Sequence, residues 1–240
     1  ISVTGVQTCA LPIYAAGDGG GGYFRGVAST STDNGGSVIT TAYGASASSG
    51  WYREIVYPIN VLCWGAYRNN SNASQTRLSI QNAINYISGN GLSGGDVYFP
   101  SGNYAIDSTI NITFNGVKLM GDSYQSSAIY MSSSTATILS IAGSGSPVYT
   151  AFVSDLAFYR NSYGNGKGVS ITNAGWVWLN NVFVAQSSTS YYFNNVYSTT
   201  LDKCVATTGS GSGTYYGFFA DSQNGSPNAS LYLLNCTTIV

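Results

Sequence analysis

Histidine is absent from this chain. That excludes a histidine-based catalytic triad and removes a common zinc ligand. The four cysteines, Cys9, Cys63, Cys204 and Cys236, form no CxxC pair, so neither a metal site nor a cofactor is expected. Charge is scarce too. Asp, Glu, Lys and Arg make up 7% of the 240 residues and the net charge is −1, against roughly 25% charged residues in an ordinary globular protein. Without a basic stretch there is no electrostatic footprint for nucleic acid. No apolar run reaches the length of about 18 residues needed to span a bilayer, so no membrane insertion is expected.

What is present argues for a folded, β-rich chain. Hydrophobic residues are 44% and aromatic residues 14%, with 20 Tyr, which speaks against disorder despite 30 Gly. The polar remainder is mostly Ser, Thr, Asn and Gly, which favour turns and strands over helices. An uncharged, tyrosine-rich surface suits a polysaccharide partner.

Three segments follow one another. Val3–Ile13 (VTGVQTCALPI) resembles the in-frame translation of a sequencing-library adapter, which sets residues 1–13 outside the fold and suggests that both ends of the chain lack material. Residues 14–60 read as a small β segment for capping or attachment. Its Gly-rich run (Gly17–Gly22) is a flexible turn, since the strand, helix and Gly-Lys pair of a phosphate loop are missing. Asp33-Asn34-Gly35-Gly36 is a hairpin signal. Residues 61–240 form the main unit. It opens with one helix at 71–91, where Ile80, Ala83, Ile84 and Ile87 make an apolar stripe at helical spacing. Ser71 or Ser74 is expected to cap its start and Gly89 or Gly91 its end. The stripe fits a lid over the end of a stacked core.

Beyond the helix the chain repeats. Val153–Phe158, Leu179–Val184, Leu201–Ala206 and Leu233–Thr238 each start with an apolar residue, carry mainly Asp or Asn third and place a core-type residue fourth. Their starts lie 26, 22 and 32 residues apart. Such spacing marks a solenoid, with equivalent residues stacked about 4.8 Å apart. The fold class is therefore all-β, a right-handed single-stranded parallel β-helix with one N-terminal capping helix. Leu156, Val182 and Cys204 should form one interior column, with Cys204 and Cys236 as stacked thiols rather than a disulfide.

Residues 60–121 carry a family pattern: Asn60-Val61, Trp64-Gly65-Ala66, Ser79-Ile80-Gln81-Asn82-Ala83-Ile84, and Gly94-Gly95-Asp96-Val97-Tyr98-Phe99-Pro100 followed by Gly102, Tyr104 and Gly121. In order and spacing this resembles the rhamnogalacturonase- and epimerase-like pectate lyase superfamily, as found in phage tailspike and tail fiber proteins. The segment from Tyr14 to Val61 is similar to sequences that precede this domain in phage tail proteins. The resemblance implies a pectin lyase fold, a polysaccharide or cell-surface glycan as partner, a homotrimer, and a place on a virion tail or an extracellular surface. It implies glycan hydrolysis or depolymerisation, with a non-catalytic virion structural or receptor-binding protein as the alternative. The pattern departs in one place, where Ser74 and Gln75 replace the family's paired Asp. The Asp, Asn-Thr-Asp and Gly-His-Gly motifs of polygalacturonases do not occur.

A glycosidase needs two carboxylates, about 5–5.5 Å apart for retention and about 6.5–9.5 Å for inversion. Asp155, Asp202 and Asp221 lie on the coils. Asp155 and Asp202 are two coils apart, hence roughly 10 Å if on one face, but Asp155 aligns with Lys203, which suits stacked turn residues as well. A lyase would need a basic residue, for which Arg160, Lys167 and Lys203 are available. For carbohydrate binding, Trp176 and Trp178 share one strand face opposite Val177 and Leu179. They form a stacking platform if Val177 and Leu179 point inward, and Tyr191 and Tyr192 could extend it; the alternative is that these aromatics fill the core.

Overall fold

The computed structural model describes residues 20–27, 31–39, 46–47, 50–89, 92–133, 135–207, 214–221 and 228–239. Residues 3–13 lie outside these. The N-terminal unit has β1 (Phe24–Val27), β2 (Ser31–Thr32), β3 (Val38–Ile39), β4 (Ser46–Ala47) and β5 (Gly50–Arg53). All its pairings are antiparallel: β1 and β3 flank β5, while β2 pairs with β4. The Asp33–Gly36 turn is therefore not a hairpin, because β2 and β3 belong to different sheets. It is an Asx-type loop instead. The Asn34 Oδ1 accepts from the backbone N–H groups of Gly36, Ser37 and Val38 at 2.9–3.1 Å, and such side-chain bonding competes with a ladder. Gly36 is required here because a Cβ would run into the Trp64 ring.

After β6 (Ile59–Asn60) and a 3-10 turn at Val61–Trp64, helix α1 spans Ala73–Ser88. Its N-cap is Asn72, whose Oδ1 accepts from the Gln75 N–H, and neither Ser71 nor Ser74 takes that place. The Ser74 hydroxyl donates to Asp107 instead. Gly89 closes the helix. Ile80, Ala83, Ile84 and Ile87 are all fully buried in the same core as Val97, Phe99, Tyr104 and Ile110 of the first coil. The stripe thus seals one end of the β-helix.

Every coil has three faces. The first face stacks β6, β7 (Gly95–Phe99), β10 (Val117–Gly121), β13 (Val148–Ser154), the second half of β15 (Gly164–Asn180), the second half of β17 (Ser187–Asp202) and β20 (Ala229–Leu234). The second face stacks β8 (Gly102–Ile106), β11 (Ser127–Met131), β14 (Ala157–Arg160), β16 (Phe183–Val184), β18 (Val205–Thr207) and β21 (Thr237–Ile239). The third face stacks β9 (Ile110–Ile112), β12 (Leu139–Ala142), the first halves of β15 and β17, and β19 (Tyr216–Asp221). All these pairings are parallel. The result is a right-handed parallel β-helix of about five turns.

The repeat is the corner between the first and second faces. Val153, Leu179, Leu201 and Leu233 pair in register. Leu156, Val182 and Cys204 follow as a fully buried column, joined by Phe183 N–H to Leu156 O and Val205 N–H to Val182 O at 2.9–3.0 Å. The third repeat position is special for its backbone. Asp155, Asn181, Lys203 and Asn235 all have φ between 53° and 57°. Asn and Asp tolerate this left-handed region better than other non-glycine residues. Asn181 also donates to the Asp155 carboxylate at 2.7 Å, so the side chains bond from coil to coil. Gly121 precedes this column, and a Cβ there would collide with the Asp155 carbonyl. Cys204 and Cys236 are free thiols, and burial pushes Cys204 up to about 12.

Candidate functional site: three exterior faces of the coil

Outward side chains give each face its own chemistry. On the first face one outward column runs Asp96, Lys118, Phe152, Trp178, Thr200 and Tyr232. Its early coils carry an Asp96–Lys118 ion pair at 3.7 Å. Its later coils turn aromatic. Val177 and Leu179 point into the core, while Trp176 is 52% and Trp178 37% exposed. Trp178 stacks on Phe152 of the preceding coil at 4.8 Å and 11°, and Trp176 leans on Tyr149 at 5.1 Å. Trp178 therefore has one ring face held by Phe152, while Trp176 meets Tyr149 at a tilt of 41°.

Trp176 occupies an unusual backbone position. Its φ is 49°, and Thr150, Ser198 and Ser230 in the other coils at this level have φ of 46–61°. A bulky residue in this region is an outlier costing roughly 1–3 kcal/mol. Nothing in the core asks for an indole here. Strain of this kind is characteristic of functional positions.

Tyr191 corrects an expectation. It is fully buried, stacked on Phe218 at 4.9 Å, with its hydroxyl donating to Val182 O at 2.7 Å. A sugar cannot reach it, and burial holds its hydroxyl well above the usual tyrosine range. Tyr192, one residue on, is the outward one. It sits on the third face, around a corner from Trp176, so it does not extend the indole pair.

That third face holds a small polar cluster. The Tyr192 hydroxyl donates to Asp221 Oδ2 at 2.7 Å. Burial, with the Asp221 carboxylate adding to it, pushes Tyr192 up to about 12. The Lys167 ammonium lies over the Tyr192 ring, 3.1 Å from its centroid, and burial lowers Lys167 despite the Asp221 charge. Asn194 and Asn228 both donate to the Asp221 carbonyl. Phe219 stacks on Tyr192 at 6.0 Å.

The other acids lie elsewhere. Asp155 is in the corner column and accepts from Asn181. Asp202 accepts from Asn180 at 3.1 Å and Asn235 at 2.9 Å at the end of the first face. Both carboxylates bridge turns, whereas Asp221 is on the third face. The structure brings Asp155 and Asp202 to one corner and separates both from Asp221. Arg160 corrects a second expectation. It is 1% exposed and donates to Ser187 Oγ and to the carbonyls of Ser133, Ala136 and Lys167. It staples three loops together and cannot meet a substrate. Lys203 stands in the left-handed corner.

The second face carries a groove that residue order does not suggest. Tyr130 and Tyr159 pair in register, their rings 6.3 Å apart, and Phe183 continues the strip 5.4 Å from Tyr159. Small residues flank them: Ala105 precedes Tyr130 in register, Ala128 and Ala157 form the neighbouring column, and Ala185 lines the groove. The groove has a volume of about 660 Å³.

Among the described residues no three His, Cys, Asp or Glu side chains cluster as metal ligands, and no helix is long and apolar enough to cross a membrane.

A family profile described as rhamnogalacturonase A/epimerase, pectate lyase-like, matches residues 59–229. The chain belongs to this family. A second profile, the phage tail protein small four-stranded β-sheet domain, matches residues 2–56. No curated protein sequence matches the chain. Solved structures share the fold. The tailspike protein gp49 of Acinetobacter baumannii bacteriophage Fri1, a capsular polysaccharide depolymerase, aligns over 93% of this chain and 48% of its own at TM-score 0.62 and 18% identity. ORF18 of Geobacillus virus E2 aligns over 75% of this chain and 36% of its own at 0.59 and 19%. The A-module of Azotobacter vinelandii mannuronan C-5 epimerase AlgE4 aligns over 75% and 49% at 0.52 and 17%. This pectate lyase-like chain thus spans between a third and a half of those structures.

Proposed function

We propose that this pectate lyase-like chain is the glycan-handling β-helix of a phage tail protein, working as a homotrimer on the virion tail and binding a cell-surface polysaccharide along its flank. The observation that carries the reading is the exposed pair Trp176 and Trp178, braced by Tyr149 and Phe152, with Trp176 kept against its backbone preference. Aromatic ring faces on a rigid support suit the apolar C–H faces of sugar rings. The tail-type β-sheet profile at residues 2–56 and the polysaccharide-acting neighbours support the setting.

Depolymerisation is the further step of this reading, and Asp221 is its acid. It is the candidate carboxylate that shares a face with a cation and an aromatic ring, whereas Asp155 and Asp202 are bound into turns. The second reading, a binding protein that does not cut, rests on that same turn bonding, because hydrolysis needs a pair of carboxylates.

The test titrates the chain with capsule, lipopolysaccharide and pectin and follows reducing ends. Trp176→Ala and Trp178→Ala should each weaken glycan binding about tenfold, the effect of roughly 1.4 kcal/mol. Unchanged affinity in both variants would sink the platform. Reducing-end release that disappears in Asp221→Asn supports the enzyme, and tight binding without release supports the binding protein. Sedimentation as a monomer would contradict the trimer.

A further inference from the structure

The groove on the second face carries an inference of its own. Its lining contains no charged residue. It does contain amides and hydroxyls that face outward. Several asparagine side chains of this β-helix are committed between coils: Asn195 donates to Asn173, which donates to Gly143 O, and Asn181 holds Asp155. By contrast, the side chains of Asn70, Asn103 and Gln186 line the groove without a hydrogen-bond partner among the described residues, and so do the hydroxyls of Tyr130, Tyr159 and Tyr163. Asn70 is nonetheless held in place, since its backbone N–H donates to Asn103 O at 2.8 Å. The unpaired groups are therefore presented by fixed backbone.

The layout has a direction. Asn103 stands at the first coil with Asn70 on the rung before it, Tyr130 and Tyr159 stand at the second and third, and Gln186 and Thr207 at the fourth and fifth. Four coil intervals at about 4.8 Å span roughly 19 Å. That is a strip of ring faces with neutral donors and acceptors at both ends, running parallel to the rod axis. The third face differs, since Lys167 and Asp221 would favour or reject a charged ligand there.

We propose that this groove is a second glycan-binding site, separate from the indole pair, that takes an uncharged oligosaccharide of a few residues lying along the rod axis. The inference rests on the glycan-handling reading and adds a site, a ligand class and an orientation to it. Tyr130 and Tyr159 supply the stacking floor, Phe183 closes its end with one face covered by Tyr124 at 5.9 Å, and the amides of Asn103 and Gln186 bond ring hydroxyls. A carboxylated sugar meets no cation in this groove and leaves a charge unpaired, which disfavours it.

The test uses the whole chain and defined probes: cello-, malto-, xylo- and mannohexaose as uncharged ligands and hexagalacturonate as the acidic one. Affinity is read by calorimetry, and contact by hydroxyl-radical footprinting of Tyr130, Tyr159 and Tyr163. At least one uncharged hexasaccharide should bind and protect these tyrosines. Tyr159→Ala and Gln186→Ala should each lower its affinity about tenfold, Tyr159→Phe should keep most of it, and Trp178→Ala should leave the footprint unchanged. Tighter hexagalacturonate binding overturns the ligand class. Binding lost only in the Trp176 and Trp178 variants overturns the second site and leaves the platform standing. No binding of any uncharged probe, with thermal unfolding unchanged, overturns the inference, and if capsule, lipopolysaccharide and pectin also fail, the glycan reading falls with it.

Discussion

Two columns of left-handed residues run up this β-helix, and their sequences obey different rules. The corner column, Asp155, Asn181, Lys203 and Asn235, is mostly made of the residue types that accept positive φ. Its side chains bond between coils. The column within the first face, Thr150, Trp176, Ser198 and Ser230, has the same backbone and none of those residues. The corner therefore looks selected for folding. The face column tolerates a cost to throw a side chain outward, and at Trp176 that side chain is an indole.

The comparison breaks most visibly at Asn181. Asn181→Val puts a β-branched residue in the left-handed region and removes the bond to Asp155, so stability should fall by about 2–3 kcal/mol, measured by urea unfolding. A loss below about 0.5 kcal/mol would mean that the corner is no stricter than the face.

The next test improves the corner. Lys203→Asn supplies a residue suited to its φ of 54° and should raise stability by about 1 kcal/mol. A destabilised variant would show that the Lys203 side chain matters more than its backbone.

The two indoles sharpen the contrast within the first face. Trp178→Ala deletes a stacked ring from an unstrained site and should cost about 1 kcal/mol. Trp176→Asn deletes a comparable contact but relieves the backbone, so its net change should stay within about 0.5 kcal/mol while glycan affinity drops. Equal losses in the two variants would remove the case for strain at Trp176.

The smallest expected effect lies beside the face column. Thr199 is fully buried and its hydroxyl has no partner among the described residues. It stacks on Val177 of the preceding coil. Thr199→Val should gain on the order of 1 kcal/mol or somewhat less in thermal unfolding, because it removes an unsatisfied hydroxyl at nearly constant volume.

Much of the fold was legible because stacking forces repetition. The apolar first and fourth positions of each repeat and the Asp or Asn third position all face the same environment coil after coil, so they recur in the sequence. The stripe of α1 was legible for the same reason, one face meeting one core. The caps were not: Asn72, rather than Ser71 or Ser74, caps α1, its side chain accepting from the Gln75 N–H out of a left-handed backbone. The Asn173–Asn195 ladder was missed, since it sits inside the long strands β15 and β17 with no break in composition. Tyr191 and Tyr192 show the limit of alternation. A one-residue change of phase reverses every side chain, and two left-handed corners, at Asn181 and Gln186 with φ of 54° and 59°, lie between the indoles and these tyrosines. The second-face groove left one faint signal, the pairs Ala128/Tyr130 and Ala157/Tyr159 at equal spacing within their strands.

The sequence alone therefore settled the class of fold, the stacked corner and the sealed end, because those depend on patterns that recur locally. Only the tertiary structure decided which of two neighbouring tyrosines faces out, which carboxylates are already taken, and that Asn70, Asn103, Tyr130, Tyr159 and Gln186 share one groove. These are contacts between coils, and their partners lie roughly one turn apart along the chain, at distances that vary with each loop. Residue types fix what a position tolerates, but the register of the stack fixes what it meets.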